Sequence, residues 1–227
     1  MTNLAEFRED ESYCLIRMDD GKANALSFEM LAQLEKALDQ AAQAGKVVII
    51  CGRPGKFSAG FDLSVMNQGG EAMLQLLQSG ASLSRRLIDF DTPVILGVSG
   101  HALAMGALLL LSADYRIGIH GSYKIGLNEV AIGMTLPWFG VELARHRLAK
   151  THLNKAVGLA QVYDAEAAVT AGYLDEAVAE DQLMSRATSL AEQLSALDMT
   201  AHRQTKARVR DPLTASLDAA TAREFEP

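Results

Sequence analysis

Two short aliphatic runs, Val47-Val48-Ile49-Ile50 and Val94-Ile95-Leu96-Gly97-Val98, constrain the fold more than any other feature of the chain. Neither alternates with polar residues. Each therefore reads as a strand buried on both faces, as parallel sheets covered by helices require. Helical spacing precedes both, with Leu31, Leu34, Leu38 and Ala41 before the first and Met73, Leu76, Leu77, Leu83 and Leu87 before the second. Ser27 is placed to cap the earlier helix and Gly45 to close it. Ser12–Met18 reads as a further strand ending at the turn Asp19-Asp20-Gly21, and Tyr115–Ile119 and Tyr123–Ile125 as later ones. The class is α/β to about residue 130. Beyond Pro137 the pattern is helical, with breaks expected at Gly158, Gly172 and Asp211-Pro212. No linker divides the chain, so one continuous unit is expected.

Charge and composition narrow the partners. The 227 residues carry 21 Lys and Arg against 28 Asp and Glu, a net charge of −7, which argues against nucleic acid because phosphates are met by basic surfaces. The longest apolar run, Ala102 to Ala113, stops at Asp114 and is too short to span a bilayer, so no membrane role is expected. Cys14 and Cys51 lie in apolar stretches without framework or metal-ligand spacing and read as buried thiols of a reducing compartment. The N-terminus lacks the basic-then-apolar order of a secretory signal. A cytoplasmic location is the expectation.

Dinucleotide, Walker-type and G-x-S-x-G signatures are absent, and the five histidines are scattered without zinc spacing. Two segments carry more information. Gly52–Leu63 follows a buried strand and contains Ser58-Ala59-Gly60, small residues that let a ligand approach main-chain N–H groups. Val98–Ala107 follows the next buried strand and opens an apolar helix, whose first N–H groups are unpaired and favour a developing anion. Two such ends side by side can hold one oxygen between two backbone donors; each is also compatible with an ordinary turn between strand and helix. A third element, Tyr123–Gly133, places Glu129 among apolar neighbours. Burial there would raise its pKa toward neutrality and suit it to proton transfer, while a solvated helix start would leave it ordinary.

GKANAL (21–26), FSAGFDL (57–63), SGHALAMGALLLLSADYRI (99–117), IGLNEVAIG (125–133) and DAEAAVTAGYLDEAV (164–178) occur in one order across nearly the whole chain. This set resembles the crotonase superfamily, the enoyl-CoA hydratase/isomerase group. The resemblance implies an α/β fold, a crotonase-like spiral of ββα units at 1–190, with a short C-terminal helical region at 191–227. It also implies an acyl-CoA substrate, with coenzyme A as part of the substrate and no separate cofactor or metal, and a homotrimer or dimer of trimers.

By the same resemblance, Phe61 matches one oxyanion N–H donor and Met105 the other, where the family usually has glycine. The Met105 side chain would then have to turn away from the thioester. Lys22, Ala23 and Ala25 match the loop along the CoA phosphates and adenine, although Lys22 also fits a solvated turn. Ala59, Asp62 and Leu63 match the opposite wall. Leu108, Ile132, Leu136 and Trp138 are expected to line the acyl pocket.

Hydratases of the group resemble one another in using two glutamates. Here one of those positions is Leu108 and the other Glu129. A leucine cannot orient water or deliver a proton, and loss of one acid/base partner typically costs about 10²–10⁴ in rate. The wording A-x-G-x-L at 104–108, with IGLNE and Pro137-Trp138-Phe139, resembles the 3,2-enoyl-CoA isomerases, for which one carboxyl suffices. A second acid, where one is used, would reach in from Glu71, Asp89 or Asp91.

The alternatives are an enoyl-CoA hydratase or other crotonase reaction, and a non-catalytic acyl-CoA-binding protein. A serine hydrolase would need Ser99 or Ser58 with His101. Only Asp211–Pro227 follows the segment Ala201–Lys206, so the acyl pocket is expected to be more open than in relatives with longer C-termini, or roofed by another chain.

Overall fold

The structure, a computed structural model, describes residues 3–225. Five strands of the main sheet precede residue 120: β1 (Ala5–Glu9), β2 (Tyr13–Met18), β4 (Val47–Cys51), β7 (Val94–Val98) and β9 (Tyr115–Ile119). They lie in that order. β11 (Glu176–Val178) completes the edge, and only the β1–β2 pair is antiparallel. All five residues of β4 and of β7 are buried, as their uninterrupted apolar sequences require.

After each inner strand the chain makes one or two further short strands before it turns helical. β3 (Ala25–Leu26) and α1 (Phe28–Ala44) follow β2; β5 (Gly55–Ser58), β6 (Gly60–Phe61), α2 (Leu63–Met66) and α3 (Gly70–Asp89) follow β4. Then β8 (Gly100–Leu103) and α4 (Met105–Ser112) follow β7, and β10 (Ile125–Gly126) follows β9. β10, β8 and β5 form a parallel three-stranded sheet, and β3 pairs with β6. The expected spiral of ββα units is this arrangement. It depends on a close crossing at Gly100, whose φ is 149° and where a β-carbon would collide with the backbone of Gly55.

The two sheet faces have separate cores. Val48 and Ile50 point into the larger one, with α1, α3 and α4; Val47, Ile49 and Cys51 point the other way, onto Leu183, Ala187, Leu190 and Ala191 of α8 (Leu183–Ser195). Helices α5 (Trp138–Arg147), α6 (Lys150–Val157) and α7 (Ala165–Ala171) lie between β10 and β11. Cys14 and Cys51 are buried free thiols.

Three expectations are corrected. The region beyond Pro137 is not wholly helical, because Glu176–Val178 pairs with Ile117–Ile119 as an edge strand. The division expected at residues 190 and 191 falls inside α8, which packs on the sheet; the last helix, α9 (Met199–Phe225), packs against α5 and α3. Pro212 does not break α9. Lys206, Arg210, Leu213 and Leu217 are buried along it, and this anchorage on both sides of the proline outweighs the lost backbone hydrogen bond.

Candidate active site

The segment after β5 runs alongside the start of α4. A β-carbon on Gly60 would lie 2.8 Å from the Ala104 Cβ and 3.2 Å from the Met105 nitrogen, so only glycine permits this approach. Successive N–H groups along a strand point to opposite edges. The Asp62 N–H donates to the Leu26 carbonyl at 3.3 Å, on the β3 side, which turns the Phe61 N–H toward the other edge of β6, where no strand pairs. Met105 is the first residue of α4, so its N–H has no partner within the helix. Two main-chain donors thus meet at the junction of β6 and α4, at the positive end of a helix whose eight residues are all buried.

The Met105 side chain turns away from this junction. A β-carbon on Gly80 of α3 would lie 3.2 Å from Met105 Cε and 2.7 Å from a ring carbon of Phe61, so both side chains pack over the bare Cα of that glycine.

Below the junction lies a cavity of about 440 Å³. Its walls are mainly apolar, with Phe61, Leu63, Met66, Met73, Leu77, Leu108, Ile132 and Met134 among them. Glu129 and Asn128 face it just ahead of a 3₁₀ turn at Val130–Ile132. Glu129 is only 7% exposed, and burial pushes its carboxyl pKa up to about 7, against a smaller opposing effect of its own backbone N–H. Glu129 Oε2 and Asn128 Oδ1 are buried without hydrogen-bond partners. A carboxyl group of this kind exchanges protons readily near neutral pH.

The loop before β3 is organised around two side chains. Asp20 accepts N–H bonds from Lys22 (2.7 Å), Asn24 (2.9 Å) and Ala25 (3.0 Å). Asn24, buried and left-handed at φ 52°, donates to the carbonyls of Met18 and Phe57. Lys22 is exposed, Ala23 accepts the Ala59 N–H at 3.0 Å, and Asp62 caps α2 through Ser64. The two predicted CoA walls, 22–25 and 59–63, are therefore hydrogen-bonded to one another, and Ala59 and Leu63 continue into the cavity.

Leu108 and Ile132 stand in the cavity wall. Leu136 is one layer back, where it and Leu108 close over Gly140, and Trp138 is beside the rim, its ring covered by the Arg223 guanidinium at 3.4 Å. Glu71, Asp89 and Asp91 do not reach the cavity. Among the described residues, the second carboxylate on its wall is Glu224, in the last turn of α9, which accepts the Trp138 N–H at 2.7 Å. Sequence reading missed it because α9 was expected to end at Pro212. That helix thus supplies part of the cavity wall.

The nucleophile reading has no support in the geometry. The Ser58 hydroxyl is buried and donates to the Asn24 carbonyl, Ser99 donates to the Lys56 carbonyl, and His101 Nδ1 accepts the Lys124 N–H. None of these bonds joins one of the three to another.

The family model for enoyl-CoA hydratase/isomerase matches residues 8–226. The chain belongs to the enoyl-CoA hydratase/isomerase family. This family member is similar to a Pseudomonas syringae enoyl-CoA hydratase/isomerase family protein of known structure, at 43% identity, covering 97% of this chain and 96% of that one with a TM-score of 0.96. It resembles an enoyl-CoA hydratase from Mycobacterium marinum at 36% identity and a TM-score of 0.94, with 97% of both chains covered. Among curated relatives, it is 30% identical to the rat mitochondrial enoyl-CoA delta isomerase 1 over 82% of its own length, and spans 66% of that protein. Names on both sides of the hydratase/isomerase divide thus lie at similar distances from this family member. Among its described residues, no helix is long and apolar enough to cross a membrane.

Proposed function

We propose that the chain is a 3,2-enoyl-CoA isomerase that moves a double bond with one carboxyl group, Glu129. The observation that carries this reading is the pairing of a deeply buried Glu129 with Leu108 in a mainly apolar cavity. Glu129, as carboxylate, takes the proton from C2 of a 3-enoyl thioester. The electron pair of that C–H bond passes into the thioester carbonyl, and the resulting dienolate oxygen is held by the N–H groups of Phe61 and Met105, each contributing roughly 3–4 kcal/mol. The protonated Glu129 then returns the proton to C4 as the carbonyl re-forms, leaving a conjugated 2-enoyl thioester. A pKa near 7 serves both transfers. Leu108 keeps water from the dienolate. The CoA portion lies along Lys22, Ala23 and Ala25 on one side and Ala59, Asp62 and Leu63 on the other, and no separate cofactor takes part. The working form is a homotrimer in the cytoplasm.

One observation favours a hydratase as second reading: Glu224 lies on the same cavity wall as Glu129. Its carboxylate accepts the Trp138 N–H at the start of α5, which fixes it on that wall.

Paired assays separate the readings. One follows formation of conjugated product from 3-hexenoyl-CoA, the other loss of crotonyl-CoA absorbance by hydration, with Glu129→Gln and Glu224→Gln alongside. Isomerisation lost in Glu129→Gln and kept in Glu224→Gln, with little hydration, supports the isomerase. Fast hydration lost in both variants establishes the hydratase, and tight acyl-CoA binding without turnover of either substrate leaves a binding protein.

A further inference from the structure

A second hollow lies on the other half of α9, shares no residue with the acyl cavity, and is lined by Asp114, Arg147, His202, Lys206 and Arg210, with Asp198 at its rim. Its charge is unbalanced. Arg116 is neutralised by Asp175, through Nε to Oδ2 at 2.7 Å and Nη2 to Oδ1 at 2.8 Å. Lys206 and Arg210 share the single carboxylate of Asp114, each at 2.7 Å. Among the described residues Arg147 forms no ion pair of its own, Asp175 and Asp114 acting on it only from a distance, and its Nη2 donates to the Ala113 carbonyl, which also accepts from Arg210.

Two guanidinium groups thus converge on one backbone oxygen. Burial, with Arg116 and Arg210 nearby, pushes the Arg147 pKa down to about 10. Asp198 offsets little, because it is exposed and accepts the Ala201 N–H at the start of α9.

Two nitrogens at this hollow lack partners. Arg147 Nε and His202 Nε2 are both buried without a hydrogen bond, and both residues line it. Buried cations are ordinarily paired, and an arginine fork matches the oxygens of an oxyanion. We propose that this hollow between α5 and the first half of α9 binds a small, doubly charged oxyanion of the phosphate class, with Arg147 Nε and His202 Nε2 as its donors. Lys206 and Arg210 keep their carbonyl and Asp114 partners and supply field. The proposal is independent of which acyl-CoA reaction the chain performs.

The test is thermal unfolding of the whole protein in inorganic phosphate and in sodium chloride at equal ionic strength, at two protein concentrations. Arg147→Met and His202→Gln are the variants, and Arg145→Met, on the exposed face of the same helix, is the control. Saturable stabilisation of about 3–5 °C by phosphate alone is expected for wild type and Arg145→Met, and its loss in Arg147→Met. Calorimetric titration of His202→Gln should show about tenfold weaker binding, which keeps the test decisive if Arg147→Met fails to fold. Equal effects of the two salts overturn the proposal, as does phosphate stabilisation that persists in both variants. A shift that follows protein concentration rather than phosphate overturns it too, because a carboxylate from a second copy would then fill the hollow.

Discussion

The ring of Phe61 occupies the space over the Cα of Gly80 that a β-carbon would fill. The N–H of the same residue faces the free edge of β6, beside Met105. A glycine in the middle of α3 therefore governs the position of a backbone group on another element.

Gly80→Ala tests that coupling. Alanine favours a helix interior by about 1 kcal/mol over glycine, while overpacking costs about 1–3 kcal/mol, so the net loss of stability should be small. Activity should fall much further, by roughly 10–100-fold, because donor displacements of an ångström or less are costly. Urea unfolding and steady-state kinetics on the same preparation will show the split; parallel losses would mean that Gly80 serves packing only.

Glu129 predicts opposite effects of one substitution. Its folded pKa is near 7 and its ordinary value 4.5. Below pH 4.5 the carboxyl is protonated folded and unfolded, and it costs nothing. As pH rises from 4.5 to 7 the unfolded chain ionises first, so stability falls, and above 7 the full penalty stands. Glu129→Gln should match wild type at pH 4 and become more stable above pH 7, by up to about 3 kcal/mol. Isomerase activity should drop about 10²–10⁴-fold in the same variant. In wild type, kcat/KM should rise through a single ionisation near pH 7 to a plateau.

Leu108→Ala should cost about 2–5 kcal/mol, because the residue is fully buried. The space created beside Glu129 admits water. The ratio of hydrated to isomerised product, measured by chromatography after complete turnover of 3-hexenoyl-CoA, should rise. An unchanged ratio would show that Leu108 does not govern water access.

The 3₁₀ turn beside Glu129 leaves Val130 at 48% and Ile132 at 50% exposure, with Trp138 at 38% close by. Apolar groups clustered at a cavity mouth are expected to be covered in an assembly. Sedimentation equilibrium at micromolar concentration should give three times the chain mass, and a monomer would refute the trimer.

Much of this was legible in the residues. Val47–Ile50 and Val94–Val98 lacked alternation, and both are inner parallel strands. Ser27 caps α1 through the Met30 N–H, and Glu129 stood out as an acid among apolar neighbours. The short strands were not legible. Gly55–Ser58 and Gly100–Leu103 contain the residues of turns, and they become strands only because the spiral lays them side by side. β1 was missed because Glu6 and Arg8 point outward from an edge, where the hydrophobic signal is thin. Glu224 lies 95 positions from Glu129 (224 − 129), and only the packing of α9 on α5 brings it to the cavity.

The contact between β6 and α4 has a consequence for sequence drift. Groups that belong to the main chain at Phe61 and Met105 survive a change of side chain at either position. A methionine at 105 in place of the glycine that the resemblance implies is one such change. The bare Cα positions around them, Gly60, Gly80 and Gly106, have no such latitude, since a single methyl group there meets neighbouring atoms within 3 Å. Inheritance here should conserve the spaces between residues more strictly than the residues that face the reaction.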